Sequence, residues 1–370
     1  MPIATTLTLY VARVFSFHML GMLLALTGVV ALFDLIELLR RAASRPEATF
    51  AVVAEIAALR LPWAMMQILP FAVLLGGILA FWRLTRSSEL IVARAAGLSA
   101  WQFLAGPTLC ALGLGLFAVA VVGPVSAAMR ARAEAVDSTF IKIGGGPLAL
   151  NGGRLWLRQA DQELDPQGVA LLNAQRVVVR DGTLAAEAMS IFRLDARDRL
   201  LERIEARAGT LRDGYWALQD ARTIVPGRLP GPARDMHLPT TMTVDRVQDS
   251  FAPPDTLSVW ALPGFIGLLD RSGFSSIRHR LYFHSLLAMP LLAGTMSLLA
   301  AAFSMRPARR GGVAQMIGSG VAAGFALFVL SKVAEEFGQT GTLPPALAAW
   351  VPIAAGLLLS ISLLLHLEDG

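Results

Sequence analysis

Residues 11–36 read VARVFSFHMLGMLLALTGVVALFDLI, and this stretch decides the fold class because it is apolar and long enough to cross a membrane. Only Arg13 and Asp34 are charged within it. A helix needs about 20 consecutive apolar residues to cross a bilayer core of roughly 30 Å. Five further stretches meet this requirement, and they are residues 56–81, 101–122, 281–303, 313–333 and 347–367. The sequence therefore predicts six transmembrane helices, three on each side of a long interval.

The composition supports a membrane protein. Of the 370 residues 55% are apolar and 16% are charged, whereas a soluble domain carries about 25% charged residues. The single Cys110 excludes a disulfide scaffold. The net charge of +5 comes from arginines that are scattered beside apolar segments, so we expect no nucleic-acid partner. The first apolar run is too long for a signal peptide, and we expect none to be cleaved.

The basic residues in the short loops predict the orientation. Arg83, Arg86 and Arg94 follow the second span, and Arg306, Arg309 and Arg310 follow the fourth span. Because Lys and Arg are enriched in cytoplasmic loops, both of these loops and both termini are predicted to be cytoplasmic. The first loop is an exception, since it falls outside although it holds Arg40, Arg41 and Arg45. We interpret this exception as a hint of function.

The interval between the third and fourth spans then lies outside, in the periplasm of a Gram-negative cell. Residues 125–140 extend the third span as a helix, and short apolar alternations separated by turn signals such as Asp181-Gly182 and Asp213-Gly214 follow. Strands at a spacing of roughly ten residues predict an antiparallel sandwich or roll. We therefore divide the chain into three spans (1–123), a β domain with a leading helix (124–255), and a return helix with three spans (256–370).

Catalytic signatures are absent from the sequence. It contains no G-x-x-x-x-G-K-[ST], no G-x-S-x-G and no H-E-x-x-H, so the chain cannot hold ATP in a P-loop of its own. The five histidines are His18, His237, His279, His284 and His366. No two of them are spaced three or four residues apart, and we predict no metal site.

The cytoplasmic segment TRSSELIVARAAG, residues 85–97, predicts a short helix at about 87–97. Ser87 or Ser88 can cap this helix, Glu89 falls in its first turn, and Gly97 can end it. One interpretation is a solvated connector between two spans. The other is a helix that docks into a cytoplasmic partner, with Leu90, Ile91 and Ala95 as apolar contacts and Glu89 bound to a basic residue.

The first span ends in FDLIELLRR, residues 33–41. Asp34 and Glu37 lie on one helix face, and Arg40 and Arg41 follow a turn later. One interpretation is an ordinary helix end with local ion pairs. The other is a site for an anionic headgroup, because arginine binds phosphate bidentately. The residues alone favour neither.

The fifth span carries two glycines four residues apart, Gly320 and Gly324. Small residues at this spacing let two helices approach closely. The partner helix is either another span of this chain or a span of a second subunit.

Taken together, these features resemble the LptF/LptG family of permease subunits from the lipopolysaccharide export machine. The resemblance covers nearly the whole chain, and its most specific motif is Ser-Glu-Leu at 88–90 followed by Ala-Gly at 96–97. Further matching stretches are residues 69–77, Pro290, residues 306–312 and residues 341–352. Residues 33–41 are more similar to the LptG branch than to the LptF branch.

The resemblance implies a mechanism and partners. A paralogous LptF-like permease would pair with this chain over an LptB-like ATPase dimer, with an LptC-like bitopic protein attached and an LptA-like bridge beyond. The segment with Arg86, Glu89, Leu90, Ile91 and Arg94 would be the coupling helix. ATP and Mg²⁺ would be bound by the ATPase, so we expect no cofactor on this chain. Lipopolysaccharide would enter between the first and fifth spans, and a periplasmic β-jellyroll would pass its acyl chains onward.

The resemblance also suggests residues for the lipopolysaccharide headgroup. Family members carry lysines at two places where this sequence has Ala31 and Trp63. The candidate headgroup residues here are Asp34, Glu37, Arg40, Arg41, Arg60, Arg130 and Arg132. Residues for the gate and the helix interface are Phe33, Gly320 and Gly324.

Two hypotheses from other classes compete with export. A membrane scaffold would position partners through its outer domain and move no lipid. A membrane enzyme acting on lipids would need a reactive constellation, and Asp34 and Glu37 offer at least a pair of carboxylates for one.

Overall fold

A computed structural model describes most of the chain. The described residues are 2–43, 49–87, 89, 99–140, 149–151, 154–161, 168–180, 183–195, 197, 199–240, 242–243, 247, 253–271, 274–305 and 313–368. The chain forms two compact units. The membrane unit comprises Met1–Val136, Asp255–Leu262 and Ile277–Gly370, and the sheet unit comprises Asp137–Pro254 and Pro263–Ser276. Most of the predicted leading helix thus groups with the membrane helices, whereas most of the predicted return helix groups with the sheet.

Long helices build the membrane unit. They are α1 (Pro2–Ala42), α2 (Phe50–Arg86), α3 (Ala100–Phe117), α4 (Gly123–Phe140), α6 (Ile277–Ser304), α7 (Val313–Gln339) and α8 (Pro345–Glu368). A π-helical turn, Ala118–Val122, joins α3 to α4. Within the described residues, six helices are long and apolar enough to cross a membrane. The prediction of six membrane-spanning helices around an inserted domain is therefore confirmed.

The spans differ in how much of their surface they bury. In the most apolar window of α2 and of α6, 67% of the residues are buried, against 17% in the windows of α1 and α7. Glycines allow close approach in the interior, since a Cβ on Gly76 would lie 2.5 Å from the Cα of Met19 and one on Gly115 would lie 2.6 Å from the Cα of Pro290. The helices α2 and α6 therefore form the centre, and α1 and α7 lie at the periphery.

The π-helical turn ends two residues before Pro124. Proline has no N–H to donate to the carbonyl oxygen of Ala120, four residues earlier. The indole Nε1 of Trp260 donates to this oxygen at 3.4 Å. The returning segment of the chain is thereby bound to the turn between α3 and α4.

Among the described residues of the sheet unit, seven strands form one antiparallel sheet. They are β1 (Ala149–Asn151), β2 (Arg154–Ala160), β3 (Val169–Arg180), β4 (Thr183–Leu194), β5 (Leu200–Arg212), β6 (Tyr215–Ile224) and β7 (Arg234–Pro239). Each strand pairs with its neighbour in the chain, so the order is that of a meander. The sheet is nevertheless rolled, because Thr240 Oγ1 donates to Gln159 Oε1 at 2.6 Å and Gln159 Nε2 donates to the carbonyl of Pro239 at 3.1 Å. These contacts join β2 to the end of β7.

A crease crosses four strands of the sheet. The pairing is interrupted at the same level from β3 to β6. It skips Gln175 and Ala188 between β3 and β4, Ala188 and Arg207 between β4 and β5, and Ala206, Arg207, Asp220 and Ala221 between β5 and β6. Ala188 and Asp220 both have φ of 51°, a left-handed conformation that is costly for residues other than glycine. In β4 the buried positions change there from Leu184 and Ala186 to Met189, Ile191 and Arg193. The crease thus turns Arg193 into the interior.

The inner face of the roll is apolar and is completed by a helix from beyond the sheet. Ile191, Ile204 and Trp216 lie in its core. Leu269 of α5 (Leu262–Arg271) and Phe274 after it belong to the same core. The prediction of an inserted all-β domain is confirmed. The spacing of strands did not determine their order, which among the described strands contains no Greek-key crossing.

Candidate functional site

Charged side chains gather where α1 ends, where α2 begins and along α4. This charged cluster consists of Asp34, Glu37, Arg40, Arg41, Glu55, Arg60, Arg130, Arg132 and Asp255. Helix α2 is the common element, because ion pairs join its Arg60 to α1 and its Glu55 to α4. All of these residues belong to the membrane unit. The structure therefore connects most of the headgroup residues suggested by the sequence.

The end of α1 presents two exposed guanidinium groups. Arg40 bonds to Glu37 through Nε at 2.9 Å and Nη2 at 3.0 Å, and Arg41 Nε bonds to the same carboxylate at 2.8 Å. The side chains of Arg40 and Arg41 are 77% and 54% exposed. Exposed pairs of this kind contribute about 0.2–1 kcal/mol. An incoming phosphate can therefore displace Glu37 at low cost.

Arg60 is held more firmly. Its Nη1 lies 3.3 Å from Asp34 Oδ1, and the arginine side chain is largely buried between α1 and α2. The positive and the negative charge lie together away from bulk water, where the attraction between them is stronger than at the surface. Arg60 and Asp34 thus join the two helices and form the least accessible part of the α1–α2 end.

Arg132 and Arg130 follow each other on α4 but differ in environment. Arg132 Nη2 bonds to Glu55 at 2.9 Å with both side chains exposed. Arg130 Nε bonds to Asp255 Oδ2 at 3.0 Å, and its guanidinium lies 4.7 Å from the centroid of the Trp63 ring. Cation–π contacts of this kind strengthen when the cation is desolvated. The accessible arginines of the cluster are therefore Arg40, Arg41 and Arg132.

The sequence did not identify the carboxylates that engage the two α4 arginines. Glu55 lies 77 positions from Arg132, and Asp255 lies 125 positions from Arg130. A local helix pattern carries no signal for such pairs. The ring of Trp63 contacts the cation of Arg130.

Most of the predicted docking segment, including Leu90, Ile91 and Arg94, lies outside the described residues. Of the rest, Glu89 Oε1 accepts a hydrogen bond of 2.8 Å from Ser87 Oγ. Arg86 is exposed, with its guanidinium 5.5 Å from the centroid of the Trp82 ring. Nearby, Thr85 Oγ1 donates to the carbonyl of Ser304 at 3.3 Å, which joins the ends of α2 and α6.

The two glycines of α7 face the interior of this chain. A Cβ on Gly320 would lie 2.9 Å from Ile78 Cδ1, and one on Gly324 would collide with Leu74 Cδ2. Their close approach is thus to α2. Exposed apolar residues on α7 are Val321, Phe325, Val329, Leu330, Val333 and Phe337. Phe33 of α1 is also exposed, so peripheral apolar surface of both helices is open to a partner or a lipid.

Fold and cluster together define a multi-pass membrane protein with an inserted β domain and an arginine-rich end to its spans. The family model described as "Lipopolysaccharide export system permease LptF/LptG" matches residues 9–366, and the chain belongs to this family. The chain is 25% identical over 359 residues to lipopolysaccharide export system permease protein LptG of Escherichia coli (strain K12), covering 94% of this chain and 93% of that protein. It is 23% identical over 357 residues to the LptG of Haemophilus influenzae, covering 94% of each.

The family establishes the general role. The chain is a multi-pass inner-membrane protein and a permease subunit of a lipopolysaccharide export system. This result favours export over the scaffold and lipid-enzyme hypotheses.

Proposed function

We propose that the chain is the LptG-type permease subunit of an ABC transporter that extracts lipopolysaccharide from the inner membrane. A separate ATPase supplies the energy and binds ATP and Mg²⁺. Two features support this branch of the family: the similarity to proteins named LptG in two organisms, and the sequence of residues 33–41. In this proposal the termini are cytoplasmic and the sheet unit lies in the periplasm.

The observation that carries the proposal is the pairing of apolar and cationic surface on one helix. Helix α1 exposes Leu24, Leu32 and Phe33, and it ends in the exposed Arg40 and Arg41. Lipopolysaccharide has acyl chains next to phosphate groups. Apolar side chains can contact the acyl chains, and guanidinium groups bind phosphate through paired hydrogen bonds. The end of α1 therefore offers both kinds of contact that this lipid requires.

The peripheral position of α1 and α7 supports their role as gates. In the most apolar window of each helix, only 17% of the residues are buried within the chain. A paralogous LptF-like permease would face them across a cavity, and lipid would enter where these helices separate. An LptC-like protein and an LptA-like bridge would receive the lipid from the β domains.

The cytoplasmic segment around Glu89 is proposed to couple this movement to an LptB-like ATPase dimer. Glu89 would form an ion pair with the ATPase, and Arg86, Leu90, Ile91 and Arg94 would complete the contact. Thr85 joins the start of this segment to the end of α6, which offers a route from the ATPase to the buried centre of the membrane unit.

Copurification tests the proposal as a whole. The tagged chain is solubilised from its native host in mild detergent, and bound proteins and lipids are identified. We expect a P-loop ATPase, a second six-span permease and lipopolysaccharide. An intact complex that contains no ATPase would instead support the scaffold hypothesis.

A double substitution tests the headgroup site. Replacing Arg40 and Arg41 with Glu should lower photocrosslinking of lipopolysaccharide to α1 about tenfold, because two charge-assisted contacts are lost. The matched control replaces both with Lys and keeps the charge. Equal crosslinking in all three proteins would show that these arginines are an ordinary helix end.

A single substitution tests the coupling segment. Glu89→Ala should reduce copurifying ATPase or ATP-dependent release of lipid, because a charge pair at an interface would be lost. The control is Glu336→Ala, an exposed carboxylate at the end of α7. Normal assembly and transport in Glu89→Ala would remove the coupling role.

A further inference from the structure

The chain leaves the membrane unit and returns to it at two places that an ion pair joins. Arg130 lies six residues before the membrane unit ends at Val136, and Asp255 is the first residue of the returning segment. Their hydrogen bond of 3.0 Å links these two connections directly.

Arg130 connects three segments of the membrane unit. It belongs to α4, bonds to the returning segment through Asp255 and contacts α2 through the ring of Trp63. The side chains of Arg130 and Asp255 are only 18% and 20% exposed. Removing one partner of such a pair leaves a poorly solvated charge, which costs more than losing an exposed pair. The neighbouring Arg132 has an exposed partner and no such enclosure.

A second contact supports the same junction. Trp260 binds the carbonyl of Ala120 in the π-helical turn, only a few residues after Asp255 in sequence. The returning segment is therefore attached both to the π-helical turn before α4 and to α4 itself. These contacts limit how far the two connections can separate.

We propose that Arg130 and Asp255 form a clasp that transmits movement of the spans to the sheet unit, and that Arg130 is a positioning residue rather than a headgroup ligand. The inference rests on the proposed export function. When α2 and α4 move, the clasp moves the returning segment with them, so both connections to the sheet unit shift together. Without the clasp, the spans can still move and the ATPase can still turn over, but less lipid is delivered.

A phosphate would bind Arg130 poorly in this setting. It would have to displace a carboxylate that already occupies the guanidinium Nε, and Trp63 lies over the same group. The accessible Arg40, Arg41 and Arg132 present no comparable barrier.

The test uses the complete transporter in vesicles with an acceptor for the lipid. Two quantities are measured, the lipopolysaccharide bound before ATP is added and the lipopolysaccharide delivered per ATP hydrolysed. The variants are Arg130→Asp, Asp255→Arg and the double exchange Arg130→Asp/Asp255→Arg. The control exchange is Arg176→Glu/Glu187→Arg, an exposed pair between β3 and β4.

Each single variant should deliver about fivefold less lipid per ATP, which is the lower end of the changes that coupling between two sites produces. The amount of lipid bound before ATP is added should be unchanged. The double exchange should recover at least half of the loss, and the control exchange should behave like the wild type. No recovery in the double exchange, or lipid binding that falls in step with delivery, would overturn the clasp. If charge reversal prevents folding, Asp255→Asn and Trp63→Phe weaken the same contacts without reversing a charge, and the same loss per ATP is required of them. A wild-type complex that moves no lipid would instead refute the proposed function.

Discussion

The sheet unit and the end of α1 hold arginine in opposite ways. In the sheet unit, Arg193 is 5% exposed and binds Asp161 bidentately and Glu202 at 2.8 Å. Burial alone would lower the pKa of this guanidinium. The hydrogen bonds to Asp161 and Glu202 raise the pKa by more than burial lowers it, so the net shift is upward and the group stays charged. At the end of α1, the exposed Arg40 and Arg41 share the carboxylate of Glu37. The comparison separates charges that stabilise the fold from charges that are free to bind a ligand.

The largest effect is expected from removing the buried charge. Arg193→Met should lower the free energy of unfolding of the sheet unit by about 3–5 kcal/mol, because Asp161 and Glu202 would stay buried without their cation. Thermal unfolding of the purified protein, with limited proteolysis to detect opening of the sheet, measures this loss. Arg176→Met on the exposed face is the control and should change stability by less than about 0.5 kcal/mol. Equal losses in the two variants would end the distinction between buried and exposed charges.

An intermediate effect is expected at Arg60, whose burial lies between the two extremes. Arg60→Met keeps the apolar stem and removes the charge that faces Asp34. We expect a loss of about 1–2 kcal/mol, less than for Arg193 because Asp34 keeps partial access to solvent. The thermal midpoint in detergent measures it, and Asp34→Asn should show a similar loss. A midpoint like that of the wild type would place Arg60 among the ligand-binding charges.

A smaller effect is expected when Glu37, the carboxylate that binds Arg40 and Arg41, is replaced. Glu37→Gln should leave stability within about 0.5 kcal/mol of the wild type, because exposed pairs contribute little. Crosslinking of lipopolysaccharide to α1 should rise about twofold, since the carboxylate no longer competes for Arg40 and Arg41. Reduced crosslinking would mean that Glu37 orients the arginines for the lipid.

The smallest effect is a pH dependence in the sheet unit. The pKa of Asp195 is held below its usual range, first by the backbone N–H of Arg199, while burial acts against this, and then by the N–H of Arg197 and the Arg199 guanidinium. A lowered carboxyl pKa stabilises the fold above the unfolded value of about 3.9, and the contribution is lost as pH falls through the folded pKa. Asp195→Asn should therefore unfold at a lower temperature than the wild type at neutral pH, and the gap should close in strong acid. A gap that is constant with pH would assign the effect to shape rather than charge.

Length and apolarity were enough to predict the six spans, since few other structures bury such stretches. Alternation and turn signals were enough to predict strands. The crease was not predictable, because at Gln175, Ala188, Arg207 and Asp220 the inward positions change phase without any glycine or proline at those residues. If the alternation of buried and exposed positions had continued unchanged along β4, Arg193 would point outward.

The candidate site was predictable only in part. The arginines stand out in the sequence because they flank apolar spans. Their partners do not, since Asp255 is 125 positions from Arg130. The direction in which Gly320 and Gly324 face was also open, and packing against Leu74 and Ile78 decides it.

The placement of Leu269 and Phe274 in the core of the roll has a consequence for biosynthesis. These side chains follow the last strand by about thirty residues and immediately precede the fourth span. A nascent chain made from its N-terminus has all of the described strands before it has these two residues, which complete their core. The core of the roll is therefore complete only once the chain has been extended past Phe274, when the fourth span is about to be made. For the same reason, a secreted fragment that stops at Pro254 should expose apolar surface and aggregate, whereas one that includes residues 263–276 carries its own core.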